Sequence, residues 1–215
     1  MVLDTLIAEL KSSGLAERPG KLLYSGLNTL KPGDVYLLGY NPGGDPEVEA
    51  GSILSHLISA DVQRNEYIDA QWRPGGRLHR RGEAPMQKRI CCMLTALGLD
   101  VRSVCASNVI FVWSRGIAAL RSPEELANTC WPVHRQDLKI VQPKHIITLG
   151  DDAFEYICGA GSSAGALCAE ARAFRADRKR SSIRCGAAAA SELPQIPIRR
   201  NRDPCSMPPS AARTG

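Results

Sequence analysis

Three groups of residues in this chain have types and spacing suited to chemistry. The first is the loop Gly39-Tyr40-Asn41-Pro42-Gly43-Gly44-Asp45, which follows the apolar run Val35–Leu38. Pro42 lacks an N–H and two glycines come after it, so neither strand nor helix can continue, and bare backbone is presented to whatever fills the crevice beyond. The Asn41 carboxamide has no useful basicity; it can orient a water but not deprotonate it. Asp45 is the nearest carboxylate, a candidate base or a loop cap. The second is Asn108, within another apolar stretch, with one acceptor and two donors to read a polar ligand or to fasten a neighbouring loop. The third is Arg73, Arg77, Arg80, Arg81, Lys88 and Arg89, within seventeen residues and opposed only by Glu83. It reads as a phosphate-contacting patch or as a solvated loop and helix face.

The elements that must position these groups follow from periodicity. Leu3, Leu6, Ile7 and Leu10 have helical spacing, and Gly14 supplies a stop. Val35–Gly39 reads as a buried strand, Ser52–Ala60 as a short helix, and the polar stretch Asp61–Glu83 as a long loop. Pro85 starts a helix striped by Met86, Ile90, Met93, Leu94 and Leu97 and closed by Gly98. A second strand is expected over Val104–Trp113 and a third over His145–Leu149. Between them, Ser122-Pro123-Glu124-Glu125 has a capping-box pattern, and Pro132 is expected to break or restart the helix. Asp151 reads as the N-cap of a last helix through Ala153, Phe154 and Ile157. The order β-α-β-α-β-α with apolar strands predicts a parallel sheet between helices, right-handed crossovers, and a ligand beyond the carboxyl ends of the strands.

With 215 residues, the chain suffices for one α/β domain with a proper core. It has no apolar run long enough to span a membrane, and its first residues lack the pattern of a signal peptide, so a cytoplasmic protein without membrane association is expected. The eight cysteines show no C-x-x-C spacing, which favours reduced thiols over a zinc or iron–sulfur site. The net charge of +5 is unevenly spread. Residues 171–215 hold ten of the 27 Lys/Arg and three of the 22 Asp/Glu, leaving a slightly acidic body of 17 and 19. This tail is rich in Arg, Ala, Ser and Pro, has no strand or helix period, and reads as disordered beside a folded domain at 1–170.

Three segments together resemble the uracil-DNA glycosylase superfamily. Gly39-Tyr40-Asn41-Pro42-Gly43 is similar to the G-x-N-P-G first motif of its mismatch-specific and single-strand-selective branches. Ala106-Ser107-Asn108-Val109-Ile110 resembles the central strand ending in a base-reading Asn. Cys130-Trp131-Pro132, followed by Pro143–Ala153 with Leu149-Gly150, resembles the helix, strand and L-G-x-x-A turn between the two catalytic motifs. The similarity spans residues 30–158. It implies a three-layer α/β/α fold on a short parallel sheet, and cleavage of the N-glycosidic bond of uracil or a related damaged base in DNA, without metal or cofactor.

On that resemblance, Asn108 matches the N3–H and O4 edge of uracil, and Asn41 positions the attacking water. Gly39, Tyr40, Pro42 and Gly43 line the pocket; Tyr67 and Trp72 are the aromatic candidates for stacking; Arg73, Arg77, Arg80 and Arg81 meet DNA. His134 and His145 read as structural. The implied partner is uracil-containing or damaged DNA, met by a monomer. The chain departs from the family beyond residue 158, where a His-Pro-Ser type second motif belongs. No His follows His145, and Pro208-Pro209-Ser210 has no strand before it. The fourth strand is therefore expected to be missing or degenerate, and catalysis weak or lost, since one preorganised donor is worth about 10²–10³ in rate. The alternatives are a non-catalytic base- or nucleic-acid-binding relic, or an α/β domain for a small phosphorylated ligand. The latter has no G-x-x-x-x-G-K-[ST] or G-x-G-x-x-G pattern behind it.

Overall fold

Apolar runs bounded by Pro and Gly become buried strands because their ends cannot extend the ladder. A computed structural model describes residues 2–47, 49 and 51–159, together with the strands at 172–176 and 183–185. The sheet order is β2-β1-β3-β4-β5, with β1 (Val35–Gly39) flanked in parallel by β2 (Cys105–Asn108) and β3 (His145–Leu149). Gly39 is in register with Asn108 on one side and Leu149 on the other. Lys144 and His145 both donate their N–H to the Asp34 carbonyl, which starts β3 level with β1.

Alternation along the strands splits the core in two. Tyr36, Leu38, Cys105 and Ile146 pack on one face with Leu6 and Leu10 of α1 (Val2–Ser12), with Cys130, Trp131 and Val133 of α5 (Pro123–Val141), and with Ala153 of α6 (Asp151–Gly159). Leu37, Ala106 and Ile147 pack on the other with Tyr67 of α3 (Glu66–Asp69), Ile90 and Leu94 of α4 (Pro85–Ala96), and Tyr24. Both faces are covered, so interior strands read as continuous apolar runs. This is the expected three-layer α/β arrangement. The short α2 (Ile53–Ile58) is capped by Ser52, whose hydroxyl accepts from the Ser55 N–H.

Several expectations are corrected. The second strand is shorter than Val104–Trp113: it ends at Asn108, where its neighbour β1 leaves the sheet after Gly39. Beyond it, backbone bonds continue irregularly, from Val109 N–H to the Gly39 carbonyl and from Ile110 N–H to the Tyr40 carbonyl, both at 2.8 Å. Pro132 does not interrupt α5, which runs for 19 residues through it. Eight side chains of that helix are buried, and this packing outweighs one missing N–H. Ser122 does not form its capping box; it lies in the left-handed region without a side-chain cap bond. The stretch Asp61–Glu83 is not all loop, since it contains α3 and a one-turn helix at Pro74–Gly76.

The fourth strand was expected to be missing or degenerate. It is present in degenerate form, against the reading of the tail as without any strand: β4 (Arg172–Ala176) pairs in parallel with β3, and β5 (Ile183–Cys185) pairs antiparallel with β4. Ladder bonds need backbone groups rather than β-branched side chains, so a degenerate Arg-Ala-Phe-Arg-Ala run can occupy the fourth position. The expected disorder of the remaining tail lies outside the described residues.

Candidate functional site

The order β2-β1-β3 makes the sheet's winding reverse between β1 and β3, the position at which open α/β sheets hold ligands; on the opposite flank of β1 stands β2, which ends at Asn108. Here the loops following β1 and β2 are zipped together. Gly43 bridges Ser114 in parallel, and the Gly44 N–H donates to the Ser114 carbonyl at 3.1 Å. Gly39 and Asn108 are register partners, and the Asn108 carboxamide lies directly over Gly39. A Cβ there would collide with Asn108 Oδ1 and come within 3.2 Å of Cγ. Glycine is required by this close approach, with no need for an unusual φ.

Asn108 is also held from behind. His134 donates from Nε2 to the Asn108 carbonyl at 2.8 Å and to the Val109 carbonyl at 3.2 Å. Its ring packs 4.7 Å from Phe111, and burial drives its pKa down to about 4, so it stays neutral. Asn108 itself is only 7% exposed, yet no hydrogen bond engages its carboxamide among the described residues. Its amide atoms are not among the fully buried polar atoms left without a partner, so they stay open to water or to a ligand.

Asn41 follows Gly39 by two residues. At strand spacing its Cα falls within about 10 Å of that of Asn108. Its amide N–H₂ is spent, donating to Ser114 Oγ at 2.8 Å and to the Pro42 carbonyl at 3.1 Å. Oδ1 has no such partner among the described residues and remains an acceptor for water. Asp45 is fully engaged: Arg115 Nε reaches Oδ2 at 2.9 Å, and the Glu47 N–H reaches Oδ1 at 3.1 Å. The Arg115 guanidinium holds its carboxyl below the ordinary value, which makes it a loop fastener and a poor base.

The other sequence candidates divide. Pro42 is buried and Gly43 exposed, both in the zipped loop. The Tyr40 ring turns to the opposite side and packs with the α5–α6 core. Burial and the charges of Asp152 and Glu124 raise its pKa, so only its backbone borders the Asn108 side. Tyr67 and Trp72 do join the Asn108 face. Their rings are 5.7 Å apart, at 66° to one another, and each lies about 6 Å from Tyr24 (6.1 and 6.2 Å).

Tyr24 and Trp113 are the residues that sequence reasoning missed. The Tyr24 N–H donates to the Ala106 carbonyl, which seats its ring beside β2. Trp113 would lie 3.4 Å from a Cβ on Gly44, and its ring stands edge-on to His56 at 5.1 Å. An aromatic wall of Trp72, Tyr67 and Tyr24 thus lies on this face, with Trp113 beside Gly44. Trp113 was visible as the end of an apolar run, whereas nothing around Tyr24 marked it. Glu49 was missed as well: it lies against Gly44, its charge helps raise the Tyr24 pKa, and no ion pair engages it among the described residues.

The arginines form a separate projection. Arg73, Arg77, Arg80 and Arg81 are all exposed and none makes an ion pair among the described residues. Arg81 also borders a cleft of about 320 Å³ with Arg64, Arg102, Asp61, Gln63 and Asp69. Arg102 grips Asp69 there with two bonds of 2.7 Å, so the cleft is nearly charge-balanced and the cationic excess lies on the projection.

Among the described residues, no group of three or more His, Cys, Asp or Glu is arranged to hold a metal ion. No helix among them is long and apolar enough to cross a membrane. Comparison of the chain with protein-family models and with curated proteins returned no match.

Proposed function

We propose that this chain is a uracil-DNA glycosylase-like protein that accepts an extruded uracil, or a related damaged base, in the crevice at Gly39 and Asn108. The observation that carries this is the carboxamide of the largely buried Asn108, free of protein hydrogen bonds among the described residues and set over a glycine, on a backbone held from behind by neutral His134. Oδ1 accepts the N3–H of uracil and Nδ2 donates to O4, while half-buried Trp72, at the rim of the buried Tyr24 and Tyr67 rings, is the one to stack on. Asn41 Oδ1 holds the water that meets the sugar as the bond to the base breaks. Departure of the base through an oxocarbenium-like state asks for little base strength from that water's partner. The exposed arginines meet phosphates and set the register of the strand.

A second reading is a base-binding relic without catalysis. It is favoured by the capture of Asp45 by Arg115, which leaves the loop's nearest carboxylate spent. Incubation of the full chain with a uracil-containing single-stranded oligonucleotide, followed by alkali, separates the two. A strand break that is lost in Asn108→Ala but kept within a few-fold in Asp45→Asn supports the glycosylase. Salt-sensitive, uracil-dependent binding without a break supports the relic. Absence of both overturns the uracil assignment.

A further inference from the structure

The segment that lies along the β2 edge borders a cavity of its own. Gly20 bridges Val112 and Leu23 bridges Ser107, both antiparallel. The Tyr24 N–H donates to the Ala106 carbonyl at 2.8 Å, which makes Leu23 and Ser107 a pair of the non-hydrogen-bonded kind. In such a pair the peptide groups point away from the neighbouring strand. Outward of Leu23 is a cavity of about 220 Å³ between this edge, α2 and residues 59–66, with an apolar lining of buried Leu22, Leu23 and Leu57. Leu23 is buried, yet its N–H and carbonyl make no hydrogen bond among the described residues. Buried peptide groups are nearly always paired, so this pair of a donor and an acceptor calls for a partner from the cavity. The rim is charged. Lys21 Nζ and Arg64 Nε both reach Oε1 of Glu66, at 2.7 and 3.2 Å. Glu66 is anchored in turn, its N–H donating to the Tyr24 carbonyl at 2.8 Å and its carbonyl accepting from Gln87 Nε2 at 2.7 Å. One carboxylate oxygen thus holds an ammonium and a guanidinium side by side, and neither terminal amine of Arg64 is engaged among the described residues. Those amines are the part of an arginine that grips phosphate. Asp61, the other acid at the cavity, caps the Gln63 N–H at 2.9 Å.

We propose that this cavity binds a purine nucleoside phosphate: the base lies against the leucines with one edge on the Leu23 peptide groups, and the phosphate meets Arg64 and Lys21. A cavity of about 150 Å³ holds benzene, so the larger volume here suits a two-ring base, with the sugar and phosphate left at the rim. Adenine offers its exocyclic amine to the Leu23 carbonyl and N1 to the N–H; guanine offers N1–H and O6 to the same two groups. The nucleotide is free or stands at the phosphorylated end of a strand, since both present the same chemistry. None of Gly39, Asn41 and Asn108 lines this cavity, and the site does not rest on uracil recognition.

The test titrates the full chain, isotopically labelled at its leucine amides, with AMP, GMP and UMP, in wild type and in Asn108→Ala so that the crevice does not contribute. AMP and GMP should saturate one site per chain and shift the Leu23 amide resonance in both proteins. UMP should bind Asn108→Ala at least tenfold more weakly than AMP does. Arg64→Gln, at an exposed position, should weaken AMP about tenfold and leave adenosine unchanged, because only the phosphate loses a partner. Ala60→Trp should fill the cavity and abolish binding, with an unchanged urea midpoint as the sign that it is folded. An oligonucleotide with a phosphorylated adenosine end that displaces AMP identifies a strand end as the source, and one that does not identifies the free nucleotide; either supports the site. AMP binding kept in Asn108→Ala, whatever the outcome for uracil excision, separates failure of the crevice from failure of the cavity. No saturable binding at millimolar AMP and GMP, an unmoved Leu23 resonance, unchanged AMP affinity in Arg64→Gln, or UMP bound as tightly as AMP in Asn108→Ala would overturn the proposal.

Discussion

Gly39 and Asn108 illustrate how one missing methyl can define a site. The Asn108 carboxamide occupies the volume that any side chain at position 39 would need. Gly39→Ala should displace the amide and cost about 1–3 kcal/mol, the usual range for overpacking a filled site. Trimming the amide removes the collision, so the same change made in an Asn108→Ala background should cost far less. Urea denaturation of the four proteins in this cycle measures the coupling, and additive effects would show that the amide does not rest on Gly39. His134 belongs to the same unit from the other side, since its bond to the Asn108 carbonyl fixes the backbone that aims the amide.

At the scale of elements, β4 alters what the tail contributes. Composition alone suggests that deleting residues 171–215 would leave folding unchanged. With β4 paired along β3 from His145↔Arg172 to Thr148↔Arg175, deletion exposes the backbone edge of a buried strand. Each lost backbone bond is worth about 0.5–1.5 kcal/mol, and an uncovered edge is a template for pairing with other chains. The truncated chain should therefore unfold at lower urea and associate as its concentration rises, which denaturation and light scattering would register. An unchanged midpoint and no association would return the tail to a passive role. The opposite edge is guarded differently, by the segment whose Leu23 bridges Ser107 and whose Lys21 N–H meets the Phe111 carbonyl.

For the whole molecule, two buried groups on α5 set an unusual proton balance. His134 is held down to about 4, whereas Asp137, fully buried with one bond from the Tyr36 hydroxyl at 3.2 Å, is pushed up to about 7. Between about pH 4 and 6.5 the folded chain keeps both neutral, and the unfolded chain charges both. For His134, the unfolded state binds the extra proton, so stability falls as pH falls from 6.5 toward 4. For Asp137, the folded state binds it, so stability falls as pH rises from 3.8 toward 7. The slopes have opposite sign and cancel across this window. Asp137→Asn removes one of them and should leave a slope near 1.4 kcal/mol per pH unit, with stability lost on acidification. Urea midpoints at pH 4.5, 5.5 and 6.5 test this; equal slopes in both proteins would mean that one of the two groups is charged in the core.

By itself, the sequence determined the features that short-range physics controls. The strands Val35–Gly39 and His145–Leu149 are apolar runs closed by glycine, and α4 begins at the proline that suits a first helical position. The Asn41 loop cannot be anything but a loop. Tertiary structure decided what depends on partners far along the chain. β2 stops at Asn108 because β1 leaves the ladder there, although the apolar run itself continues. α5 passes through Pro132 because its neighbours are buried against the sheet, and β4 forms because backbone pairing is indifferent to side-chain type. Tyr24 joins Tyr67 and Trp72 only once the edge segment docks on β2, and Asp45 loses its basic character to Arg115, 70 residues away. Periodicity records which residues are buried. It does not record which distant charge or ring will be waiting for them, since that depends on how chain segments far apart in sequence are brought together.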